Sequence, residues 1–97
     1  MDAEIENIIK ESLLEILEET GGKKIKMFTR NTTLYGVQGI LDSLALVRLV
    51  AEIEGKISEK LYKDISLVNE RALSQKNSPF LTIGSLTDYI VKIINEP

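Results

Sequence analysis

Apolar residues recur at Ile5, Ile8, Ile9, Leu13, Ile16 and Leu17, the i, i+3, i+4, i+8 spacing of one helix face. Acids fill the opposite face, and Gly21-Gly22 offers a stop after the last turn. A second stripe, Leu46, Val47, Val50, Ile53 and Ile57, predicts a helix that begins at Asp42 or Ser43, with Gly55 as its terminator. A short third helix is expected within residues 64–73, broken by "SQKNSPF" with Pro79 as punctuation. The last helix is predicted to start from Thr82 as N-cap and to turn Ile83, Leu86, Ile90, Ile93 and Ile94 to one side. Residues 22–41 contain Gly36 and Gly39 and hold no sustained period, so they read as a long connection pinned by Leu34, Tyr35, Val37, Ile40 and Leu41. Loops this long inside a compact domain are uncommon and often functional. With no repeat and no strand pattern, the expectation is an all-α fold, a four-helix bundle of three long helices and one short one.

At 97 residues the chain makes one domain, residues 1–97, and buries roughly two-thirds of its unfolded surface. No cysteine is present, which excludes disulfides, thiolate nucleophiles and cysteine metal sites. The absence of histidine removes the usual general base and the commonest transition-metal ligand, so most enzyme mechanisms drop out. An acidic "MDAEIENIIK" is unlike a secretory signal, and no apolar run is long enough to span a membrane; a cytoplasmic, monomeric protein is expected. The net charge of −3 is unevenly placed: residues 1–20 hold seven acids and one base, residues 21–41 four bases and no acid. That asymmetry bears on partners, not on fold.

Chemistry concentrates in "GILDSLALVRLVAEIEG", residues 39–55, where Asp42 and Ser43 stand at the entrance of an apolar helix. Asp42 suits an N-cap, because its carboxylate can accept from the free N–H groups of the first turn. Ser43 then takes the first helical position, where backbone donors and the helix dipole favour a phosphate. Asp42 beside it can hold a divalent cation that bridges a phosphate donor. On these grounds alone, capping is the stronger reading and phosphate attachment the sharper one.

The same stretch resembles the prosthetic-group site of the acyl carrier protein family, in which an Asp-Ser-Leu triplet opens the second helix and the serine carries 4′-phosphopantetheine. "LTIGSLTDYIVKII", residues 81–94, is similar to the last helix of that family, and the order of first helix, long loop and short third helix agrees. The resemblance implies a stand-alone, specialised carrier that does no chemistry itself. A phosphopantetheinyl transferase would modify Ser43 using coenzyme A, with Asp42 and Leu44 completing the motif. The arm's thiol would carry an acyl or aminoacyl group from an activating ligase to acyltransferase or synthase enzymes, in lipid or secondary-metabolite biosynthesis. Leu46, Val50, Leu61, Ile65 and Ile83, with Val68 and Leu73, are the implied lining of an acyl cleft, set against ordinary core packing. Fatty-acid carriers usually read Leu-Gly-x-Asp-Ser-Leu and carry an acid where this chain has Arg48. With Glu52, Arg48 is expected either to form an i, i+4 pair of roughly 0.2–0.5 kcal/mol or to alter partner choice.

Two other classes compete. "KKIKMFTR", residues 23–30, places four bases around Phe28, but no nucleic-acid motif flanks them, and solvated loop charge is the preferred account. The alternative to a carrier is a helical interaction adaptor with the same fold and no arm. An intact Asp42-Ser43-Leu44 argues against it. An enzyme is the poorest reading, since Ser43 has neither a histidine nor a Gly-x-Ser-x-Gly elbow, and acids such as Glu18 and Glu19 read as solvating charge.

Overall fold

The computed structural model describes residues 2–20, 28–35, 39–67 and 79–95. Among these residues the fold is all-helical: α1 (Asp2–Thr20), α2 (Ser43–Leu61) and α3 (Ile83–Asn95). The one extended feature is an isolated antiparallel bridge between Thr33 and Thr82.

α1 is the middle of the arrangement. It packs against both α2 and α3, which make no close backbone contact with each other. Its stripe of Ile5, Ile9, Leu13 and Ile16 is wholly enclosed, meeting Leu49, Ile53 and Ile57 of α2 and Ile83, Leu86 and Ile90 of α3 in one core. Asp2 and Glu4 sit in its first turn, where acids complement the helix dipole. α1 and α2 run antiparallel, because their ion pairs step in opposite directions along the two helices. Glu19 meets Arg48, Glu15 meets Lys56, and Glu11 meets Lys56 and Lys60. Exposed pairs of this kind contribute little individually, but together they fix which turns face each other.

The buried face of α2 differs from the predicted stripe at one residue. Val47 is 55% exposed, and Leu49 takes the inner position. At about 100° per residue, Leu46, Leu49, Val50, Ile53 and Ile57 fall in one arc, and Val47 stands outside it. Nor does Gly55 end the helix. Nothing lies within 4 Å of a Cβ built there, so the chain passes through Gly55 on its solvent side and continues for six more residues. The stop comes at Tyr62, which adopts a left-handed φ of 55° as the C-cap. The connection that follows is held by the Glu54 carboxylate, which accepts from Leu67 N–H at 2.7 Å and seats Leu67 in the core. Residues 64–67 are not helical, and the remainder of the expected short helix, 68–73, lies outside the described residues together with Val37, Val68 and residues 21–27.

α3 begins as the sequence reading has it, at Thr82. Thr82 and Ser85 cap reciprocally: Thr82 Oγ1 accepts from Ser85 N–H and Ser85 Oγ from Thr82 N–H, each at 3.0 Å. The two preceding donors of the helix are taken by the long loop, Ile83 N–H by Thr32 O at 3.1 Å and Gly84 N–H by Arg30 O at 2.8 Å. That approach is close enough to favour glycine. A Cβ at Gly84 would stand 3.0 Å from the Arg30 carbonyl oxygen. Leu34 N–H bonds Leu81 O, and Leu34 and Leu41 are buried, so these two anchor the loop as expected while Tyr35 points to solvent and Ile40 is half-buried.

Candidate functional site

Asp42 has an extended backbone (φ −82°, ψ 177°), and its carboxylate accepts from Ala45 N–H at 2.8 Å. Its carbonyl takes the next donor, Leu46 N–H. Capping is therefore real. It leaves two first-turn donors, Ser43 N–H and Leu44 N–H, without a partner among the described residues. α3 is different: there the loop and the Thr82–Ser85 box consume all four. Ser43 itself is exposed, and its hydroxyl makes no hydrogen bond among the described residues. The hydroxyl is thus presented to solvent, at the positive end of a 19-residue helix.

Around this serine the surface is apolar where a soluble helix is usually polar. Leu44 is 79% exposed, Val47 is 55% exposed one turn further on, and Ala51 is exposed beyond it. A groove of about 320 Å³ opens next to them between the end of α1 and the start of α2. Leu17 and Leu41 are its buried residues, Ile40 and Ala45 its half-buried ones, with Leu44, Asp42 and Arg48 exposed at the edge.

Arg48 does not form the expected i, i+4 pair with Glu52. Its guanidinium crosses to α1 and pairs with Glu19, because the antiparallel register brings the last turn of α1 alongside the second turn of α2. Glu19 is accordingly not a merely solvating charge. Glu52 stays exposed, and with Glu59 and Ala51 it borders a second depression of about 330 Å³ on the outer side of α2. All three cations on α2 are engaged by acids of α1, so the acids of its outer face, Glu52 and Glu59, stand uncompensated by α2 itself.

The residues suggested for an acyl cleft are not brought together around Ser43. Leu46, Val50 and Ile83 are packed into the core. Leu61 and Ile65 are half-buried at the far end of the molecule, Leu61 lying about 27 Å from Ser43 along α2 at about 1.5 Å per residue. Leu61 lines a separate depression with Glu4, Asn7, Ile8, Glu11 and Lys60. The apolar space next to Ser43 is instead the groove under Leu44. Among its walls the motif singled out Asp42 and Leu44; Leu17, Ile40 and Ala45 could have been found by asking which residues flank the serine on a helix and which apolar residue closes α1.

Of the basic stretch, Phe28 packs against the core and Arg30 is fully committed. The Arg30 guanidinium donates to Asp88 at 2.8 Å and to Gly84 O at 3.3 Å and approaches Glu6 at 3.6 Å, tying the loop to α3 and α1. Asp88, by its hydrogen bond and then by its charge, raises the guanidinium above its ordinary range. Residues 23–27 lie outside the described residues. Among the described residues no helix is long and apolar enough to cross a membrane, and no cluster of three or more acids could hold a metal ion. Compared with known proteins, the chain matches no family model, no curated protein and no solved structure.

Proposed function

We propose that this chain is a discrete carrier protein of the acyl carrier protein type, modified with 4′-phosphopantetheine on Ser43. The observation that carries the reading is the state of Ser43: an exposed hydroxyl with no hydrogen bond among the described residues, set in an Asp-Ser-Leu triplet at a helix start whose two first backbone donors have no partner among them. A serine that only capped would accept from the first turn. Here Asp42 does that work, and Ser43 is left over. The three described helices and the long loop agree in order with the carrier fold.

The donor set suits the group. The Ser43 oxygen would form a phosphodiester as the adenosine bisphosphate half of coenzyme A departs, its proton passing to a base of the transferase. Ser43 N–H and Leu44 N–H would face the resulting anion, in the direction the helix dipole favours. When bound, the arm supplies the thiol that this cysteine-free chain lacks, for holding an acyl or aminoacyl group as a thioester. The chain's own part is presentation. Leu44 and Val47 offer apolar contact to a transferase, ligase or synthase, while Glu52 on the same outer side supplies charge that steers a basic partner surface. Arg48, drawn toward α1 by Glu19, is withdrawn from that contact.

The test is intact mass after incubation with a permissive phosphopantetheinyl transferase, coenzyme A and Mg²⁺. A gain of one phosphopantetheine, absent in Ser43→Ala, is expected. No gain with several transferases would leave Ser43 an unmodified helix residue and favour the adaptor reading.

A further inference from the structure

Resting on that reading, we infer that the groove between α1 and α2 seats the first, branched apolar section of the arm, the geminal-dimethyl carbon that follows the phosphate, and does not hold the carried acyl chain. Three observations converge on this occupant. The groove adjoins the attachment point: its walls include Asp42 and Leu44, the residues immediately before and after Ser43. A group bonded to Ser43 meets these walls first, while the thiol end lies many bonds further out. The lining is aliphatic along one side, from Leu17, Ile40, Leu41, Leu44 and Ala45, and polar only at the ends, at Asp42 and Arg48. That pattern matches a branched hydrocarbon flanked by polar groups. Third, the volume of about 320 Å³ is at the bottom of the range for small-molecule pockets, about 300–1,000 Å³, and gives room for a compact branched group.

Leu46, Val50 and Ile83, the core residues suggested for a cleft, are closed against their neighbours. Leu44 explains itself on this account. It is the most exposed of the large aliphatic residues described, and an arm lying along the groove covers it. The Arg48–Glu19 pair closes the end of the groove away from Ser43, so the arm leaves over the outer side of α2, where Val47 and Ala51 lie. The distal, thiol-bearing half is therefore the mobile part, swinging from Leu44 instead of from Ser43.

Isotope-filtered nuclear Overhauser spectra on the labelled protein carrying an unlabelled arm test this directly, with intact mass confirming that the arm is attached. Cross-peaks from the two geminal methyls to the methyls of Leu17, Ile40 and Leu44 are expected, with the two arm methyls shifted from their positions in coenzyme A. Leu44→Ser, whose side chain carries no part of the core, should weaken the cross-peaks and return the methyl shifts toward those of coenzyme A. A full mass gain with no such cross-peaks and coenzyme A-like shifts overturns the groove assignment and leaves the carrier reading intact. Absence of any mass gain overturns the carrier reading and the groove assignment with it.

Discussion

Asp42 caps α2, and on the proposed carrier reading it has a second duty that substitution can pull apart from the first. Its carboxylate accepts one hydrogen bond from Ala45 N–H, at 2.8 Å and exposed to solvent. Removing an N-cap acceptor typically costs about 1 kcal/mol, within a range of roughly 0.5–2. A negative charge in the first turn adds about 0.3–1 kcal/mol, at the low end for an exposed group. Asp42→Ala therefore loses about 1.3 kcal/mol. Asp42→Asn keeps an acceptor that ranks with aspartate as a cap, and loses only the charge, about 0.3 kcal/mol. For a domain of this size, 1 kcal/mol corresponds to roughly 4–8 °C in Tm, so the alanine variant should melt about 5–10 °C below the parent and the asparagine variant about 1–2 °C below. Urea unfolding followed by circular dichroism gives the free energies. At about 1 M salt, where the screening length falls to about 3 Å, the asparagine deficit should vanish and the alanine deficit persist. The modification rate should not follow stability: a charged carboxylate holds the Mg²⁺ that accompanies coenzyme A more strongly than a neutral amide does, so Asp42→Asn should be nearly as stable as the parent yet slower to be modified. Equal destabilisation by the two substitutions would refute the capping argument, because the hydrogen bond would then not be the quantity lost.

Glycine substitutions should act in opposite directions. Gly55→Ala meets open space in an exposed helix interior and should stabilise by about 0.5–1 kcal/mol, read as a higher urea midpoint at unchanged slope. Gly39→Ala would bring a Cβ to 2.6 Å from the Tyr35 backbone, and overpacking of that kind should cost about 1–3 kcal/mol in the same assay. Ser12 Oγ is buried without a partner among the described residues, so Ser12→Ala should leave stability unchanged or raise it by about 1 kcal/mol; a loss would show that the hydroxyl is bonded in solution. Glu19→Gln should release Arg48 without disturbing the core and change association rates with a basic partner more than dissociation rates, measurable by surface plasmon resonance at two salt concentrations.

Local signals were readable in the chain, and relations between distant segments were not. The α1 stripe, the start of α2 at Ser43, Thr82 as the cap of α3 and the buried Leu34 and Leu41 all follow from periodicity, capping chemistry or apolar placement within a few residues. Val47 was misplaced because a five-residue stripe can be drawn through it or through Leu49, and only the direction of α1 decides. Gly55 reads as a stop, yet a solvent-facing glycine costs a helix only about 1 kcal/mol, less than the flanking Ile53 and Ile57 recover by burial. The ion pairs of Glu11, Glu15 and Glu19 with α2 depend on the antiparallel register, which no single stretch encodes. At the candidate site, Ser43 and Asp42 were legible from the motif. The groove was not, because it is made of Leu17 from one helix and Ile40 to Ala45 from another segment.

The placement of α1 between the other two helices has an evolutionary corollary. Among the described helices α2 packs against α1 alone, and its outer face, with Leu44, Val47, Ala51 and Glu52, is exposed. Positions such as Leu44, Val47, Ala51 and Glu52 can be exchanged without disturbing the core that α1 organises. On the proposed carrier reading, selection can rewrite which enzymes this helix meets while the scaffold stays constant, and a library randomised at these four positions should remain folded while its binding preferences diverge.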